Sequence, residues 1–568
     1  MTNYQFTGGT ICAPATIPGT GAISIIRVSG KESLAIADKV IDTKGVPIAE
    51  TEGYRLRYGT VFEADGSVLD NVIVSVFRAP HSYTGENSVE ISCHASRFIV
   101  NKILELLVNA GARIAAPGEF TRRAFVKGKM DLAQAEAVAD VIASQSAASH
   151  RVAMNQLKGG FSSELKVLRE KLLTMTSLLE LELDFSEEDV EFASRKELGQ
   201  LVDDSLTHIR RLTASFSRGN AIKNGVPVAI VGATNTGKST LLNALLGEER
   251  AIVSDIAGTT RDTIEETLNI DGILFRFIDT AGIRETDETI EKIGIDRTFK
   301  KLGEAAVVLG MTDLSRGEAA VLEDADFILS KVNEMCGVKN DGTDNDGAGT
   351  GWASLAETGG ASIAGTDGAS LAETGGTHPA ETGGTPLSET GGASQHGHGD
   401  GQERKVVILV NKCDVAGDFY RDDNGTGYGS GNDLGKNMAE IGDNKNVNQD
   451  NNIVSLIENK YDNCKVIPIS AKTGKGLSTL TKTLGEIGSE ITGSTDETLV
   501  TNVRHYEALV RAASALERVR AGLHIATLPP DLIAQDLREA LYHLGEIVGE
   551  ITTDETLGNI FRNFCIGK

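Results

Sequence analysis

The sequence predicts a multidomain α/β plus α protein, in which an N-terminal α+β domain precedes a helical domain that an α/β domain interrupts. Strand-like, β-branched runs bounded by glycine, proline and aspartate occupy residues 1–125. Apolar residues recur at helical spacing over 126–222 and again over 491–568. Strands and helices alternate between these stretches, over 223–490, which indicates a mostly parallel sheet. The 568 residues are enough for three or four domains of ordinary size.

Local patterns predict individual elements within these domains. In the N-terminal domain, Ile23–Val28 and Val72–Phe77 have the composition of strands. In the helical domain, apolar spacing predicts a helix over Asp131–Ile142, whose first residue is a suitable N-cap, and another over Glu164–Leu183. The helical pattern of 497–564 predicts that the closing segment completes the same helical domain.

Charge and glycine content are concentrated in two tracts. The net charge of −25 argues against a generic nucleic-acid coat. However, 337–402, with Glu-Thr-Gly-Gly at 357, 373, 381 and 389, and 416–452, rich in Asn, Asp and Gly, hold 25 of the 63 glycines and −12 of that charge. Neither tract has an apolar face to pack, so we expect disordered inserts, with a regulatory or partner-binding arm as the alternative. The remaining −13 is compatible with a local nucleic-acid-facing surface.

The cysteines and the N-terminus indicate the compartment. Six cysteines are scattered without a Cys-x-x-Cys pair, so neither a zinc site nor a disulfide framework is expected. The first residues lack a basic region followed by an apolar core, and no run of 18 apolar residues occurs. We therefore expect a cytoplasmic protein without membrane association.

A phosphate-binding loop is the first functional motif. Gly232–Ser239 matches the pattern Gly-x-x-x-x-Gly-Lys-Ser/Thr between the strand-like Val226–Val231 and the helical Thr240–Leu246, which is the context that the motif requires. Backbone N–H groups of such a loop surround phosphate oxygens. Lys238 can reach the β- and γ-phosphates, and the Ser239 hydroxyl can ligate Mg²⁺. A chance match on a glycine-rich turn is the alternative.

Three further motifs follow in order, each directly after a strand-like run: Asp279–Gly282, Asn411–Asp414 and Ser470–Lys472. The first suits Mg²⁺ and the γ-phosphate. The carboxylate of the second can accept hydrogen bonds from the N1–H and N2 amine of guanine, and the third suits guanine O6. Four motifs in this order predict a Ras-like P-loop G domain that binds GTP. The 132 residues from Asp279 to Asn411 contain the glycine-rich tract, which we interpret as a loop excursion from an intact domain.

The residue that orients the attacking water is not evident from these motifs. Ras-type GTPases use a glutamine directly after Asp-x-x-Gly. Ile283 stands at that position and cannot hydrogen-bond water. Either hydrolysis is negligible or another residue acts.

With these motifs, four stretches resemble the tRNA-modification GTPase family MnmE, also called TrmE: Ala15–Gly30, Pro117–Val138, Ile252–Asp262 and Phe564–Lys568, the last with the terminal Cys-Ile-Gly-Lys. The resemblance covers nearly the whole chain apart from the two tracts. It departs at Thr234, where the family usually has proline, and at His94–Ser96, where the family reads His-Gly-Gly.

The resemblance implies a cation-assisted GTPase. Glu291 would activate the water, with Lys238 as a second catalytic residue, and the alternative for Glu291 is a solvated helix face. K⁺ would be bound by Asn235, Ser254, Ile256 through its carbonyl, and Thr259, and Mg²⁺ by Ser239 and Thr260. The implied GTP contacts are Asn235, Thr236, Gly237, Lys238, Ser239, Thr240, Ser254, Asp255, Ile256, Ala257, Gly258, Thr259, Thr260, Asp279, Thr280, Ala281, Gly282, Asn411, Lys412, Asp414, Ser470, Ala471 and Lys472.

The resemblance also implies one-carbon chemistry on tRNA. The N-terminal domain would form a homodimer and bind 5-formyl-tetrahydrofolate or a related folate through Arg27, Glu90, Lys129 and Lys568, although lone surface cations are the simpler interpretation of such residues. Cys565 would take part in the chemistry, unless it is inert packing. With the FAD-dependent partner MnmG, the protein would install a carboxymethylaminomethyl-type group at C5 of the wobble uridine.

Two other functions share these motifs. A ribosome-assembly GTPase of the Era or Der type would have the same G motifs, but a KH-like module would follow the G domain, whereas 497–568 is helical. A folate-binding module with an inactive G domain is the third possibility. The intact Lys238, Ser239 and Asp414 argue against it.

Overall fold

The structure is a computed structural model that describes residues 8–184, 195–249, 266–278, 305–335, 404–414, 453–461, 464–493, 497–525, 528–562, 564 and 567. The two tracts predicted as disordered inserts, 337–402 and 416–452, lie outside the described residues.

The N-terminal domain is built on a seven-stranded sheet with the order β3-β4-β5-β6-β2-β1-β7. The strands pair antiparallel except for the short parallel contact of β1 with β7. Their bounds are β1 Ile11–Pro14, β2 Ile23–Ser29, β3 Ile41–Asp42, β4 Arg55–Phe62, β5 Val68–Phe77, β6 Ser88–His94 and β7 Arg113–Ile114. The predicted strands at 23–28 and 72–77 are therefore confirmed as parts of β2 and β5.

The two faces of this sheet differ. Alternate residues such as Val72, Val74 and Ile91 are buried against the helices α1 (Ser33–Val40) and α2 (Arg97–Asn109), and they form the domain core. The residues between them point to the opposite face, because side chains alternate along a strand. One face of the sheet therefore forms the domain core with α1 and α2, and the other face is available for other contacts.

The helical domain combines two distant parts of the chain. Its helices are α3 Glu119–Val126, α4 Leu132–Ala143, α5 Ala147–Leu157, α6 Gly160–Asp184, α7 Arg195–Ala214 and α8 Phe216–Asn224 in the first part, and α13 Val503–Leu523, α14 Pro530–Val548 and α15 Asp554–Arg562 in the second. One apolar core contains Leu168 and Leu172 of α6 together with Leu509 of α13 and Leu537 of α14. Burial of this shared surface explains why the domain is a single unit although the chain leaves it and returns.

Asp131 is the N-cap of α4, as predicted. Its carboxylate accepts a hydrogen bond from the Gln134 backbone at 2.8 Å, and the Gln134 side chain accepts one from the Asp131 backbone at 3.0 Å. This capping box satisfies two N–H groups that the helix start would otherwise leave without partners.

The interrupting domain has a six-stranded sheet with the order β13-β12-β11-β8-β10-β9, in which β9 alone is antiparallel to its neighbour. Its strands are β8 Val226–Gly232, β9 Glu266–Ile270, β10 Ile273–Ile278, β11 Val307–Asp313, β12 Lys405–Asn411 and β13 Cys464–Pro468, and its described helices are α9 Lys238–Glu249, α10 Glu318–Met335, α11 Ile453–Lys460 and α12 Leu477–Thr492. Separate apolar clusters join α9 and α12 to one face of the sheet and α10 and α11 to the other. The predicted fold class is confirmed.

The sheet is continuous across the longest gap in the described residues. β11 and β12 pair in parallel from Val307 opposite Lys405 to Asp313 opposite Asn411.

The domain boundaries stay predictions, but those at 125 and 222 fall within α3 and α8. Glycines in the left-handed region, Gly128 and Gly225, follow these helices. No helix in the described part of the chain is long and apolar enough to cross a membrane.

A buried ion cluster connects the two parts of the helical domain. Glu136 of α4 accepts hydrogen bonds from Arg504 Nε and Nη2, both at 3.0 Å, and lies 2.7 Å from Nε2 of the buried His505. Arg504 Nη1 also donates to the carbonyl oxygen of Glu546 at 2.7 Å. Burial alone would raise the pKa of Glu136, but His505 and Arg504 lower it to about 2.

Replacing Glu136 with glutamine is expected to destabilise the helical domain by about 3 kcal/mol, because it leaves the partly buried Arg504 guanidinium without its counter-ion. Since the folded pKa of Glu136 lies below its unfolded value, its contribution is complete at neutral pH and is lost as the pH falls toward 2. Urea unfolding followed by circular dichroism at pH 7 and at pH 3 measures both effects.

Glu517→Gln is the matched control, because it removes an exposed ion pair with Arg210 between the same two parts of the domain. Its unfolding midpoint should stay near that of the parent protein. Equal losses of stability in the two variants would contradict a special role for the buried cluster.

Candidate functional site

The phosphate-binding loop connects the carboxyl end of β8 to the start of α9. Lys238, the first residue of α9, donates hydrogen bonds from Nζ to the carbonyl oxygens of Gly232 at 2.8 Å and Ala233 at 2.7 Å. The buried Thr236 donates to the Ala233 oxygen at 2.9 Å. Burial lowers the pKa of Lys238, so an anion in the loop would stabilise its charged form.

Two glycines of the loop are required by close packing against neighbouring strands. At Gly232, with φ of +151°, a Cβ would lie 2.3 Å from the Met311 carbonyl oxygen of β11. At Gly237, with φ of +98°, a Cβ would lie 2.5 Å from Nδ2 of Asn411. Neither position accepts a side chain without displacement of its neighbour. Asn235, between them, has φ of +60° and is exposed.

Asn411, at the end of β12, joins three of the predicted motifs. Its Nδ2 donates to the Thr236 carbonyl oxygen of the phosphate loop at 2.6 Å. Its Oδ1 accepts a hydrogen bond from the backbone N–H of Ala471 at 3.0 Å. The loops that follow β8, β12 and β13 therefore meet at one edge of the sheet, where parallel α/β sheets bind ligands.

The predicted base-recognition residues lie in two adjacent loops. The backbone N–H of Cys413 donates to the Ile469 carbonyl oxygen at 3.3 Å, which brings the loop of Asp414 beside the loop of Ser470. Ser470 is buried, and its backbone N–H donates to the Lys475 carbonyl oxygen at 2.9 Å. Asp414 is half-buried and Lys472 is exposed.

Sequence patterns did not single out Asp313, the last residue of β11. Its Oδ2 accepts a hydrogen bond from Lys412 Nζ at 2.6 Å. Burial opposes ionisation of this carboxyl, but hydrogen bonds from Lys412 and Ser315 outweigh it and lower the pKa of Asp313. An acidic residue at the end of an otherwise apolar strand was the signal that could have identified it.

Several predicted site residues lie outside the described residues: Ser254, Asp255, Ile256, Ala257, Gly258, Thr259, Thr260, Asp279, Thr280, Ala281, Gly282, Glu291, Cys565 and Lys568. Ser239 and Thr240 are described, and they lie in the first turn of α9 directly after Lys238.

The second predicted site lies on the N-terminal sheet, on the face opposite the core. Arg27 of β2 and Glu90 of β6 are directly opposite each other, and the guanidinium binds Glu90 Oε1 through Nε at 2.9 Å and Nη2 at 2.8 Å. The rings of Tyr83 and Phe120 lie 5.2 Å and 5.7 Å from the guanidinium carbon. Arg27 is thus a half-buried cation with an acidic partner and an aromatic wall.

The C-terminal segment reaches this second site. Arg27 Nη1 donates to the Gly567 carbonyl oxygen at 3.4 Å. A Cβ on Gly567 would lie 2.0 Å from the Pro14 carbonyl oxygen at the end of β1, so the chain passes directly against the sheet. A Cβ on Gly118, which directly precedes α3, would lie 2.7 Å from the Phe561 carbonyl oxygen of α15, a second close contact of the C-terminal segment.

Lys129 is exposed and is tied to the loop between β5 and β6. Its Nζ donates to the Pro80 carbonyl oxygen at 3.1 Å. The buried Arg123 fixes the same loop by donating from Nη1 to Glu86 Oε2 at 2.9 Å. Arg27 therefore pairs with Glu90, whereas Lys129 binds the loop between β5 and β6.

Comparison with known proteins identifies the family. A family model described as the MnmE helical domain matches residues 132–565, and one described as the GTP-binding protein TrmE N-terminus matches 10–129. The tRNA modification GTPase MnmE of Parabacteroides distasonis is 43% identical over 562 residues, which covers 98% of this chain and 100% of the relative. The MnmE of Porphyromonas gingivalis is 41% identical over 570 residues, which covers 100% of this chain and 99% of the relative.

The chain belongs to the MnmE (TrmE) family. The resemblance that four stretches of sequence indicated is therefore confirmed along the whole chain. MnmE membership also explains why the phosphate loop and the N-terminal sheet occur in one polypeptide, joined by a helical domain that both halves of the chain build.

Gly237→Ala is expected to weaken nucleotide binding at least tenfold while the protein remains folded. An alanine Cβ would displace the Asn411 amide, which would lose its bond to the phosphate loop or to Ala471. The left-handed φ at this position adds backbone strain. Titration with a fluorescent GDP analogue measures the affinity.

Gly247→Ala is the control, because Gly247 lies within α9 and the added Cβ has no heavy atom within 4 Å beyond the adjoining residues and backbone of its own helix. Alanine is favoured over glycine inside a helix, so this variant should bind as the parent does. Parent-like affinity in Gly237→Ala would contradict the packing argument.

Proposed function

We propose that this chain is a K⁺-dependent GTPase that modifies tRNA. Acting with the FAD-dependent partner MnmG in the cytoplasm, it installs a carboxymethylaminomethyl-type group at C5 of the wobble uridine, using a one-carbon unit of tetrahydrofolate. The observation that carries the proposal is the Asn411 amide, which joins the phosphate loop to the base-recognition loops in a chain that matches MnmE relatives from end to end. This family membership favours tRNA modification over ribosome assembly.

GTP would be bound at the carboxyl edge of the parallel sheet. Lys238 would bind the β- and γ-phosphates, exchanging its two carbonyl partners for anionic oxygens. Asp414 would accept hydrogen bonds from guanine, and the segment of Ala471 and Lys472 would also contact the base. The remaining contacts would come from the segments Ser254–Thr260 and Asp279–Gly282.

Two cations would be bound beside this loop. Mg²⁺ would be held by Ser239, at the start of α9, and by Thr260. K⁺ would be held by Asn235, whose exposed side chain can offer an amide oxygen, together with Ser254, Ile256 and Thr259. A monovalent cation would neutralise charge on the transferred phosphoryl oxygens. Since Ile283 cannot bind water, Glu291 would orient the nucleophile.

The N-terminal site would bind 5-formyl-tetrahydrofolate or a related folate. Glu90 can accept hydrogen bonds from the donor edge of a pterin, while Arg27, Lys129 and Lys568 would provide cations for the polar and glutamate groups. The half-buried Arg27–Glu90 pair against Tyr83 supports this, because an aromatic wall beside a charged pair suits a flat heterocycle. Cys565 would act near this folate.

A homodimer would form through the N-terminal domain. The sheet face opposite the core carries Tyr58 and Ile73 as a cross-strand pair and Leu56 nearby, and their exposed fractions are 64%, 48% and 66%. A continuous apolar group of this kind marks an interaction surface. A second copy of the same domain would cover it, and MnmG and tRNA would bind the assembled dimer.

The wobble modification tests the proposal directly. Cells that lack this protein should lose the C5 modification of wobble uridines, which mass spectrometry of nucleosides from purified tRNAs detects. Complementation with the parent gene should restore it, and complementation with Glu291→Ala should not, although the variant still binds GTP. Unchanged modification in the deletion strain would remove the tRNA assignment.

The folate site is tested by Arg27→Gln, which removes the cation beside Glu90. Binding of 5-formyl-tetrahydrofolate, measured by calorimetry, is expected to weaken at least tenfold because a charge-assisted contact is lost and Glu90 is left without its partner. Arg55→Gln is the control, since this residue of the same sheet is exposed and its ion pair with Glu52 is long, at 3.6 Å. Equal affinity in both variants would place the folate elsewhere.

A further inference from the structure

Asp313 lies at the end of a strand, beside the base-recognition motif Asn411–Asp414. It is the last residue of β11, and the parallel pairing of β11 with β12 places it directly opposite Asn411. Its side chain is only 7% exposed although it carries a carboxylate. A nearly buried charge at this edge of the sheet needs strong partners, and both of its oxygens have them.

The two carboxylate oxygens of Asp313 have separate partners. Oδ1 accepts hydrogen bonds from the backbone N–H of Ser315 at 3.0 Å and from its hydroxyl at 2.6 Å, which caps the short turn Leu314–Arg316. Oδ2 accepts from Lys412 Nζ at 2.6 Å. The first oxygen therefore stabilises the turn, whereas the second connects β11 to the base-recognition loop.

Lys412, which Asp313 binds, has an unusual backbone conformation. Its φ of +65° lies in the left-handed region, which costs energy for a residue with a side chain. This turn directs the chain away from β12, and Asp414 follows two residues later. Cys413, between them, is buried, and its backbone N–H donates a hydrogen bond to the Ile469 carbonyl oxygen. Lys412 and Cys413 together therefore determine the position of Asp414.

We propose that Asp313 is a positioning residue for guanine recognition: by holding the Lys412 ammonium, it sets the orientation of the loop that presents the Asp414 carboxylate to the base. The inference rests on the proposed function, in which Asp414 reads guanine. Asp313 itself would not touch the nucleotide.

Asp313→Asn isolates the oxygen that binds Lys412. The amide oxygen can still cap the turn through Ser315, but the amide nitrogen that replaces Oδ2 cannot accept from an ammonium. In the full-length protein, GDP should dissociate about tenfold faster, and its affinity should fall by the same factor. Asp324→Asn, which removes an ion pair between Arg316 and the nearby helix α10, is the matched control and should behave as the parent does.

Comparing the affinities for GDP and IDP distinguishes a misplaced Asp414 carboxylate from a general weakening of nucleotide binding. Hypoxanthine lacks the N2 amine, so a well-placed carboxylate at Asp414 should bind GDP more tightly than IDP. If Asp313 positions that carboxylate, Asp313→Asn should shrink the ratio of the two affinities as well as lowering both. A parent-like GDP affinity, or losses for GDP and IDP by the same factor, would overturn the inference.

A second variant keeps the two proposals distinguishable. Asp414→Asn should weaken GDP binding and favour XDP, because an amide can donate to the C2 carbonyl of xanthine. If Asp414→Asn shows no such change, base reading by Asp414 is wrong, and the proposed role of Asp313 falls with it. If Asp414→Asn switches preference but Asp313→Asn leaves the GDP-to-IDP ratio unchanged, the positioning role alone is wrong.

Discussion

One side-chain amide holds the candidate nucleotide site together. Asn411 joins the loop after β8 to the loop after β13 through hydrogen bonds of its side chain. Its Nδ2 would lie only 2.5 Å from a Cβ at Gly237. Its geometry depends on β12 lying in register beside β11, because one residue of slippage would turn the amide to the other face of the sheet. The requirement for glycine at position 237 and the meeting of three loops both follow from this placement.

The register of β12 is kept although many residues separate it from β11. The cost of closing a loop grows only with the logarithm of its length, so a long connection adds little to the cost of a short one. In return, pairing β12 with both β11 and β13 buries apolar residues such as Leu409, Ile408 and Val410 on both faces of the sheet. Burial on this scale outweighs the added closure entropy.

The helical domain connects the two candidate sites physically. Its second part packs on the first through the apolar core and the Glu136 cluster, and Gly567, which follows its last helix in sequence, accepts a hydrogen bond from Arg27 of the N-terminal sheet. At the other side, Gln156 of α5 donates to the Leu499 carbonyl oxygen and the Thr501 hydroxyl, both at 3.1 Å, where the chain returns from the G domain.

The sequence by itself determined the fold class, the strands and helices that carry the motifs, the Asp131 cap and the family. These features arise from local spacing and short motifs, in which the residues that interact are close in sequence. Only the tertiary structure decided that Asn411 bridges two loops, that Asp313 holds Lys412, and that Gly567 lies against Arg27. Those contacts join residues far apart in the chain, so they depend on strand order and register. A single sequence expresses strand order and register only as alternation, which does not say which strands become neighbours.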